Sequence, residues 1–114
     1  MKNCLFCKII TKEIPAKVAY EESDILAFHD INPKAPTHIL IIPKKHIPTI
    51  NDVTEDDNLV LGKIITIAKN LAKEYKLSED GYRLIYNCNR NAGQEVYHIH
   101  MHLLGGRHFN WPPG

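Results

Sequence analysis

The sequence predicts an α+β fold with a largely antiparallel sheet. Extended segments occupy the first half of the chain, a single long amphipathic helix follows, and two further extended segments come after it. Strands that flank one helix, rather than alternating with helices, are typical of this class. A chain of 114 residues with 44% hydrophobic content is large enough for one domain with its own core. We therefore predict a single domain over residues 1–114, with residues 108–114 as a C-terminal tail.

The first half of the chain predicts one short helix and three strands. In order, these are a helix in CLFCKIITKE (4–13), strands in KVAYEES (17–23) and ILAFHD (25–30), and a buried strand in HILIIP (38–43). The helix is predicted because apolar residues recur at helical spacing, and the strands because they are rich in β-branched and aromatic residues. The segment NPKAPT (32–37) must be a loop, since its two prolines have no N–H donor and bias their predecessors away from helix.

The second half predicts the long helix and two more strands. Thr54 and Asp57 have the spacing of a capping box, which places the helix start there. Apolar residues then recur at intervals of three and four, namely Leu61, Ile64, Ile65, Ala68, Leu71, Ala72 and Tyr75. The helix should end near KLSEDG (76–81). The strands are predicted in YRLIYNCN (82–89) and EVYHIHMHLL (95–104), with the loop RNAGQ between them.

Composition excludes several classes of protein. The net charge of +1 gives no electrostatic reason to expect a nucleic-acid partner or an anionic membrane. No apolar run approaches the roughly 18 residues of a membrane span, and MKNCLFCKII lacks the features of a secretory signal. An odd number of cysteines, three, does not suggest a disulfide framework, so we expect a reducing, cytoplasmic setting.

Three of the seven histidines, His98, His100 and His102, stand at every second position of the last predicted strand. Successive side chains of a strand point to opposite faces, so the three rings should share one face, with neighbours about 6.6 Å apart. The other face should pack beneath the helix, and it carries Tyr97, Ile99, Met101 and Leu103. A polar outer face could use Thr, Lys or Glu equally well, which favours a chemical role. Two roles are open. The rings could hold a zinc ion that activates water, or one could attack phosphorus while its neighbours donate hydrogen bonds.

The residues before this row favour attack at phosphorus. Gly93, in NAGQE (91–95), would let backbone N–H groups approach an anion closely. Asn87 offers an amide donor at the end of the preceding strand. Cys4 and Cys7 form a separate feature: their CxxC spacing suits two thiolate ligands of zinc, although both could equally be small buried side chains. A redox pair is less favoured, because no thioredoxin-like βαβ pattern surrounds them.

These residues resemble a known family. The stretch YHIHMHLLGGR (97–107) resembles the histidine-triad motif, residues 7–47 are similar to the N-terminal half of the HINT branch, the purine nucleoside phosphoramidases, and WPPG (111–114) resembles the tail of its eukaryotic members. The resemblance implies a five-stranded antiparallel sheet per subunit with one long and one short helix, and a homodimer whose sheets join. It also implies hydrolysis of the P–N bond of purine nucleoside 5′-phosphoramidates, with derivatives of AMP and GMP as substrates. No cofactor is required for catalysis in this family.

The resemblance further implies a role for each site residue. His100 is the implied nucleophile, which forms a nucleotidyl-histidine intermediate. His102 and His38 hold phosphate oxygens and assist the leaving amine, and His98 orients the nucleophilic ring. The implied substrate contacts are Asp30 and Ile31 at the ribose, Asn87, Gly93, Gln94 and Glu95 at the phosphate and leaving group, and Trp111 toward the substrate of the partner subunit. The purine would lie among Phe6, Ile9, Ile14, Phe28 and Leu40, and relatives in the wider superfamily imply a structural zinc on Cys4, Cys7, His46 and His98.

One departure from the pattern concerns the leaving group. Many eukaryotic members have serine where this chain has Glu95, and an ionised glutamate can accept hydrogen bonds but not donate them. The leaving-group preference therefore stays open. Two alternative functions also stay open: a nucleotide-binding regulatory protein with weak activity, and a zinc hydrolase without nucleotide specificity.

Overall fold

The computed structural model describes residues 3–114. Its five strands form one antiparallel sheet in the order β1-β2-β3-β5-β4. The strands are β1 (Val18–Glu21), β2 (Ile25–His29), β3 (Thr37–Pro43), β4 (Tyr82–Tyr86) and β5 (Met101–Gly105), and the helices are α1 (Leu5–Ile10) and α2 (Asn58–Glu74). The predicted α+β fold, with one short and one long helix, is confirmed.

Helix α2 covers one face of the sheet. Its buried side chains pack on the strand residues that point toward it, and the core cluster includes Ile25, Ala27, Ile39, Ile41, Met101 and Leu103 from the sheet and Ile64, Ile67, Ala68, Leu71 and Ala72 from the helix. The prediction that Ile65 belongs to this buried face was wrong, since Ile65 is 56% exposed while Ile67 is buried. One step along a helix turns a side chain by 100°, so Ile65 cannot share the orientation of its buried neighbour Ile64.

The start of α2 follows the predicted cap. The N–H of Thr54 donates to the Asp57 carboxylate at 3.0 Å, as the capping-box spacing indicates. The helix proper begins one turn later, because residues 55–57 form a 3₁₀ turn. Within residues 3–114, none of the helices combines the length and the apolar character needed to cross a membrane.

The opposite face of the sheet carries α1. Phe6 packs there against Leu26, Phe28, Leu40 and Ile42. Alternate residues of β3 therefore face α2 and α1, which explains why this central strand is buried on both sides. His38 precedes Leu40 by two residues, and His102 pairs with Leu40 across the ladder. Both histidines consequently lie on the α1 face.

The prediction of one continuous strand over residues 95–104 was wrong in its first half. β5 begins only at Met101, and residues 95–100 are irregular. Continued beyond Ile41 and Met101, the register of β3 and β5 would pair Ile42 with His100 and then Pro43 with Ile99, but proline has no N–H to donate. The N–H of Ile99 bonds instead to the carbonyl of Ile47 at 2.7 Å. Tyr97, expected beneath the helix, is 44% exposed as a result.

Candidate active site

Three histidines and one aspartate meet on the α1 face of the sheet. His38 Nε2 lies 2.9 Å from His102 Nδ1, and the rings of His100 and His102 are 4.9 Å apart between centroids. His100 approaches from the irregular segment before β5, so the rings are closer than alternate positions of a regular strand would place them. Asp30, directly after β2, brings Oδ2 to 3.5 Å from His38 Nε2. Four side chains from three elements thus converge.

The tautomer of His100 follows from its hydrogen bond. Nδ1 lies 2.8 Å from the carbonyl oxygen of His98, and a carbonyl can only accept, so Nδ1 carries the proton. The neutral ring then has an unprotonated Nε2 with a free lone pair. Phe6 packs edge-on against the ring, at 5.1 Å between centroids and 88° between planes. The free lone pair of His100 Nε2 is therefore defined, and the ring that carries it is held in place.

The tautomers of His38 and His102 follow in the same way. The backbone N–H of Lys34 donates to His38 Nδ1 at 3.0 Å, so a neutral His38 carries its proton on Nε2. That proton is donated to His102 Nδ1, and His102 must then carry its own proton on Nε2. The pair presents a fixed N–H donor beside the ring of His100. Sequence reasoning missed Lys34, whose contribution comes from the backbone and leaves no signal in residue type.

Burial keeps these rings uncharged. It lowers the pKa of His98 and of His102 from 6.5 to about 4, and it lowers the pKa of His38 and of His100 as well. The charge of Asp30 acts in the opposite direction on His38, His100 and His102. All four imidazoles are consequently neutral near pH 7, as a nitrogen nucleophile with neighbouring neutral donors requires.

Asp30 is fixed by its own loop. Its Oδ1 accepts from the N–H of Asn32 at 2.8 Å, and its N–H donates to the carbonyl of His38 at 2.9 Å. The side chain is 20% exposed, so a carboxylate oxygen is available to a ligand beside the rings. Ile31, next along the chain, is 96% exposed at the rim.

The loop between β4 and β5 is tied together by a buried amide. Gln94 Oε1 accepts from the N–H of Asn89 at 2.8 Å, and Gln94 Nε2 donates to the carbonyls of Pro48 and Val96 at 2.9 and 3.1 Å. The side chain of Gln94 therefore holds the loop. Gly93, at φ +80°, and Glu95 are exposed on it.

The remaining sequence-derived residues lie at different depths. Asn87 is half-buried just after β4, and Trp111 is 83% exposed on the tail. Of the residues expected around a purine, Phe6, Ile9, Phe28 and Leu40 belong to one apolar cluster. Ile14 is half-buried and does not belong to this cluster.

A second group of side chains fits a tetrahedral metal ion. Cys4 Sγ lies 3.4 Å from His98 Nδ1, and Cys7 Sγ lies 3.4 Å from His46 Nδ1 and 3.6 Å from His98 Nδ1. All four ligand atoms are within 4.8 Å of one another. Zinc–ligand bonds of ordinary length would separate sulfur and nitrogen ligands by about 3.6 Å. The donor set and these three sulfur–nitrogen distances therefore fit zinc.

The orientation of His98 supports the same fit. Its Nε2 donates to the carbonyl of Pro43 at 2.7 Å, which leaves Nδ1 unprotonated and directed at both sulfurs. A backbone carbonyl behind a ligand histidine is a common way to fix its tautomer. Burial, with Cys4 nearby, raises the pKa of the Cys7 thiol to about 11, so a bound metal would have to displace its proton.

Comparisons with known proteins agree with this geometry. A family model described as the HIT domain matches residues 11–109. The purine nucleoside phosphoramidase of Escherichia coli (strain K12) is 57% identical over 106 residues, covering 93% of this chain and 89% of that protein. The crystal structure of a HIT family hydrolase from Legionella pneumophila has a TM-score of 0.96 and 64% identity, covering 98% of this chain and 100% of that one. A histidine triad nucleotide-binding protein from Candida albicans has a TM-score of 0.83 at 37% identity, covering 96% and 83% of the two chains.

Proposed function

The chain belongs to the HIT domain family, and from this premise we propose that it hydrolyses the P–N bond of purine nucleoside 5′-phosphoramidates. The observation that carries the proposal is the hydrogen bond from His100 Nδ1 to the carbonyl of His98. It leaves a neutral Nε2 as a nucleophile beside the paired rings of His38 and His102. The similarity to a purine nucleoside phosphoramidase from E. coli supports the choice of substrate.

The reaction proceeds in two displacements at the α-phosphorus. In the first, His100 Nε2 forms a bond to phosphorus as the P–N bond of the substrate breaks, and the amine departs with a proton taken up from solvent. The N–H of His102, fixed by His38, donates to the phosphate oxygens as charge develops on them. In the second, water attacks phosphorus, the P–Nε2 bond breaks, and a proton from the water balances the one taken by the amine. The products are the amine and the nucleoside 5′-monophosphate.

Nucleoside recognition rests on two surfaces. Asp30 accepts hydrogen bonds from the ribose hydroxyls, with Ile31 beside it, and the cluster around Phe6, Phe28 and Leu40 receives the purine. The loop that carries Asn87, Gly93, Gln94 and Glu95 faces the phosphate and leaving group, and Gln94 acts there by holding the loop. Since Glu95 can only accept, it favours leaving groups that carry donors. AMP and GMP derivatives are the substrates this arrangement suits.

The Cys4, Cys7, His46 and His98 group binds a structural zinc ion in this proposal. Four protein ligands would complete a tetrahedral shell and leave no position for water, so the metal would supply rigidity between α1 and the residues before the nucleophile. A hydrolytic zinc is disfavoured for a second reason. A second set of ligand atoms, on Asp30, His38 and His102, also lies within reach of one ion. The N–H of Lys34 bonds to His38 Nδ1 and keeps the proton on His38 Nε2. His38 Nε2 therefore has no lone pair to offer a metal ion.

A homodimer joined through its sheets is also part of the proposal. β4 is an edge strand of the five-stranded sheet, and such an edge can pair with a second copy. Leu84 on β4 and Leu59 and Ile65 on α2 are exposed at 37%, 73% and 56%. These residues offer an apolar surface to a partner, and Trp111 on the tail could reach the partner's substrate. Three free cysteines favour a reducing, cytoplasmic setting.

An assay with an adenosine 5′-phosphoramidate, with and without a chelator, tests the proposed activity. Turnover that resists the chelator and disappears in His100→Ala, with nucleotide affinity changed by no more than a few-fold, is the expected result. Tight nucleotide binding without turnover would instead support a regulatory protein. Turnover abolished by chelator alone would support a zinc hydrolase. Retention of a tenth of the activity by His100→Ala would show that another group is the nucleophile.

A further inference from the structure

The sequence GGR (105–107), at the end of β5, takes no part in the proposed chemistry, yet it lies against the loop before β3. Gly106 has φ +97°, and a Cβ at this position would lie 2.8 Å from Cβ of Pro36. Only glycine permits both this backbone conformation and this approach. The approach brings the next residue, Arg107, onto the backbone of Lys34.

Arg107 holds Lys34 while Lys34 holds His38. Arg107 Nε donates to the carbonyl of Lys34 at 3.0 Å, and the N–H of Lys34 donates to His38 Nδ1 at 3.0 Å. The guanidinium is itself fixed by a second bond to the carbonyl of His108 at 3.0 Å and by stacking on Phe109 at 4.3 Å. A continuous set of contacts therefore runs from the end of β5 to the paired histidines.

The paired histidines have two neutral arrangements. In one, His38 Nε2 donates to His102 Nδ1, so His102 carries its proton on Nε2 and can donate to a phosphate oxygen. In the other, His102 Nδ1 donates to His38 Nε2, and His102 Nε2 becomes an acceptor that repels the same oxygen. The second arrangement puts the proton of His38 on Nδ1, where it would clash with the N–H of Lys34. The position of Lys34 thus selects the productive arrangement.

We propose that Arg107 is a positioning residue that fixes the tautomers of His38 and His102 through the backbone of Lys34. The proposal rests on the proposed function for its catalytic consequence, although the tautomers themselves are a property of the free protein. Asp30, with Oδ2 3.5 Å from His38 Nε2, favours the same arrangement independently. Loss of Arg107 should therefore weaken the selection without abolishing it.

The expected kinetic effect falls on kcat. The backbone N–H of Asp30 is held by the carbonyl of His38, and this hydrogen bond does not involve Arg107. Ribose binding should therefore be little affected in Arg107→Ala, and KM should change by less than about threefold, the effect of one weakened contact. In Arg107→Ala, kcat should fall by about five- to tenfold, the change expected when one hydrogen bond of ordinary strength stops selecting between two states. Arg107→Lys keeps a donor for the Lys34 carbonyl and should recover part of kcat.

Arg83→Ala is the matched control. Arg83 also stacks on Phe109, at 5.2 Å, and also donates to a tail carbonyl, that of Asn110 at 3.0 Å. It shares the charge and the stacking of Arg107 but not the contact with Lys34. The readout is the imidazole nitrogen spectrum of ¹⁵N-labelled, ligand-free protein near neutral pH, which distinguishes protonated from unprotonated ring nitrogens.

We expect an unprotonated His38 Nδ1 in the wild type and in Arg83→Ala. In Arg107→Ala we expect the signals of both protonated and unprotonated Nδ1. The melting temperature of each variant shows whether it is folded. An unchanged His38 signal in folded Arg107→Ala would overturn the proposal, as would equal losses of kcat in the two arginine variants. Absence of turnover in the wild type would refute the proposed function instead. The nitrogen spectra would still decide the role of Arg107 in that case.

Discussion

The buried neutral histidines should make the fold acid-sensitive at a pH above the range in which carboxylates titrate. Burial lowers the pKa of His98 and of His102 from 6.5 to about 4. In the unfolded chain both rings are hydrated, and their pKa returns to about 6.5. As the pH falls below 6.5, the unfolded state binds protons that the folded state excludes. Stability that is present at neutral pH is therefore lost between pH 6.5 and pH 4.

The size of the loss follows from these pKa values. One such ring lowers the free energy of unfolding by about 2 kcal/mol between pH 7 and pH 5, and by about 3 kcal/mol when pH 4 is reached. Two rings that titrate independently give about 4 kcal/mol at pH 5. His38 and His100, whose pKa is also lowered by burial, add to this figure. Since domains are typically stable by about 5–15 kcal/mol, a large part of the stability should be gone at pH 5.

Urea unfolding followed by circular dichroism at pH 7 and pH 5 measures this loss. A chelator should be present, because a metal on His98 would keep that ring from protonation. His102→Asn should reduce the pH-dependent loss by about 2 kcal/mol. A wild-type loss below about 1 kcal/mol, or an undiminished loss in His102→Asn, would refute the idea that burial keeps these rings neutral.

Three further outcomes are expected. A 2′-deoxy phosphoramidate should be hydrolysed with a kcat/KM lower by about tenfold or more, because a carboxylate oxygen of Asp30 loses its hydrogen bond, which costs ~1–3 kcal/mol. Equal kcat/KM values for the two substrates would show that Asp30 does not bind the ribose. Replacing Cys4 and Cys7 together by serine should abolish stoichiometric zinc in elemental analysis and lower the melting temperature, while Cys88→Ser should not; no difference between the two variants would return both thiols to a packing role. Asn89 has φ +67° and ψ −172°, a region suited to glycine, so Asn89→Gly should raise the free energy of unfolding by about 1 kcal/mol; a lower value in urea titration would show that the backbone there is unstrained.

Periodicity was sufficient to predict the regular elements. The spacing of apolar residues located α2, and the Thr54–Asp57 pair located its start within one turn. It failed at residues 95–100, where alternation of polar and apolar residues predicts a strand. The ladder stops there because a continued register would place Pro43, which is far away in sequence and has no N–H, opposite Ile99. A local pattern contains no information about which residue a strand will meet.

The functional site could likewise be predicted only in part from the sequence. Histidines at every second position stand out in the sequence, and so does the CxxC pair. Two of the groups that define their protonation states do not: the N–H of Lys34 on His38 and the carbonyl of Pro43 on His98. Every residue type except proline supplies the first and all supply the second. Only the fold shows which backbone groups reach the rings.

The neutrality of the histidine rings also bears on how a catalytic cycle ends. Hydrolysis of a phosphoramidate converts a singly charged phosphoryl group into a phosphate monoester whose second ionisation, near pH 6, leaves it largely doubly charged at pH 7. The neutral histidine rings form no ion pair with the second negative charge of the product phosphate. The Asp30 carboxylate, 3.5 Å from His38, repels that charge. The pocket therefore holds the product less firmly than a lysine- or arginine-lined site would. The burial that keeps the histidine rings neutral therefore favours release of the product, and the same burial makes the protein sensitive to acid.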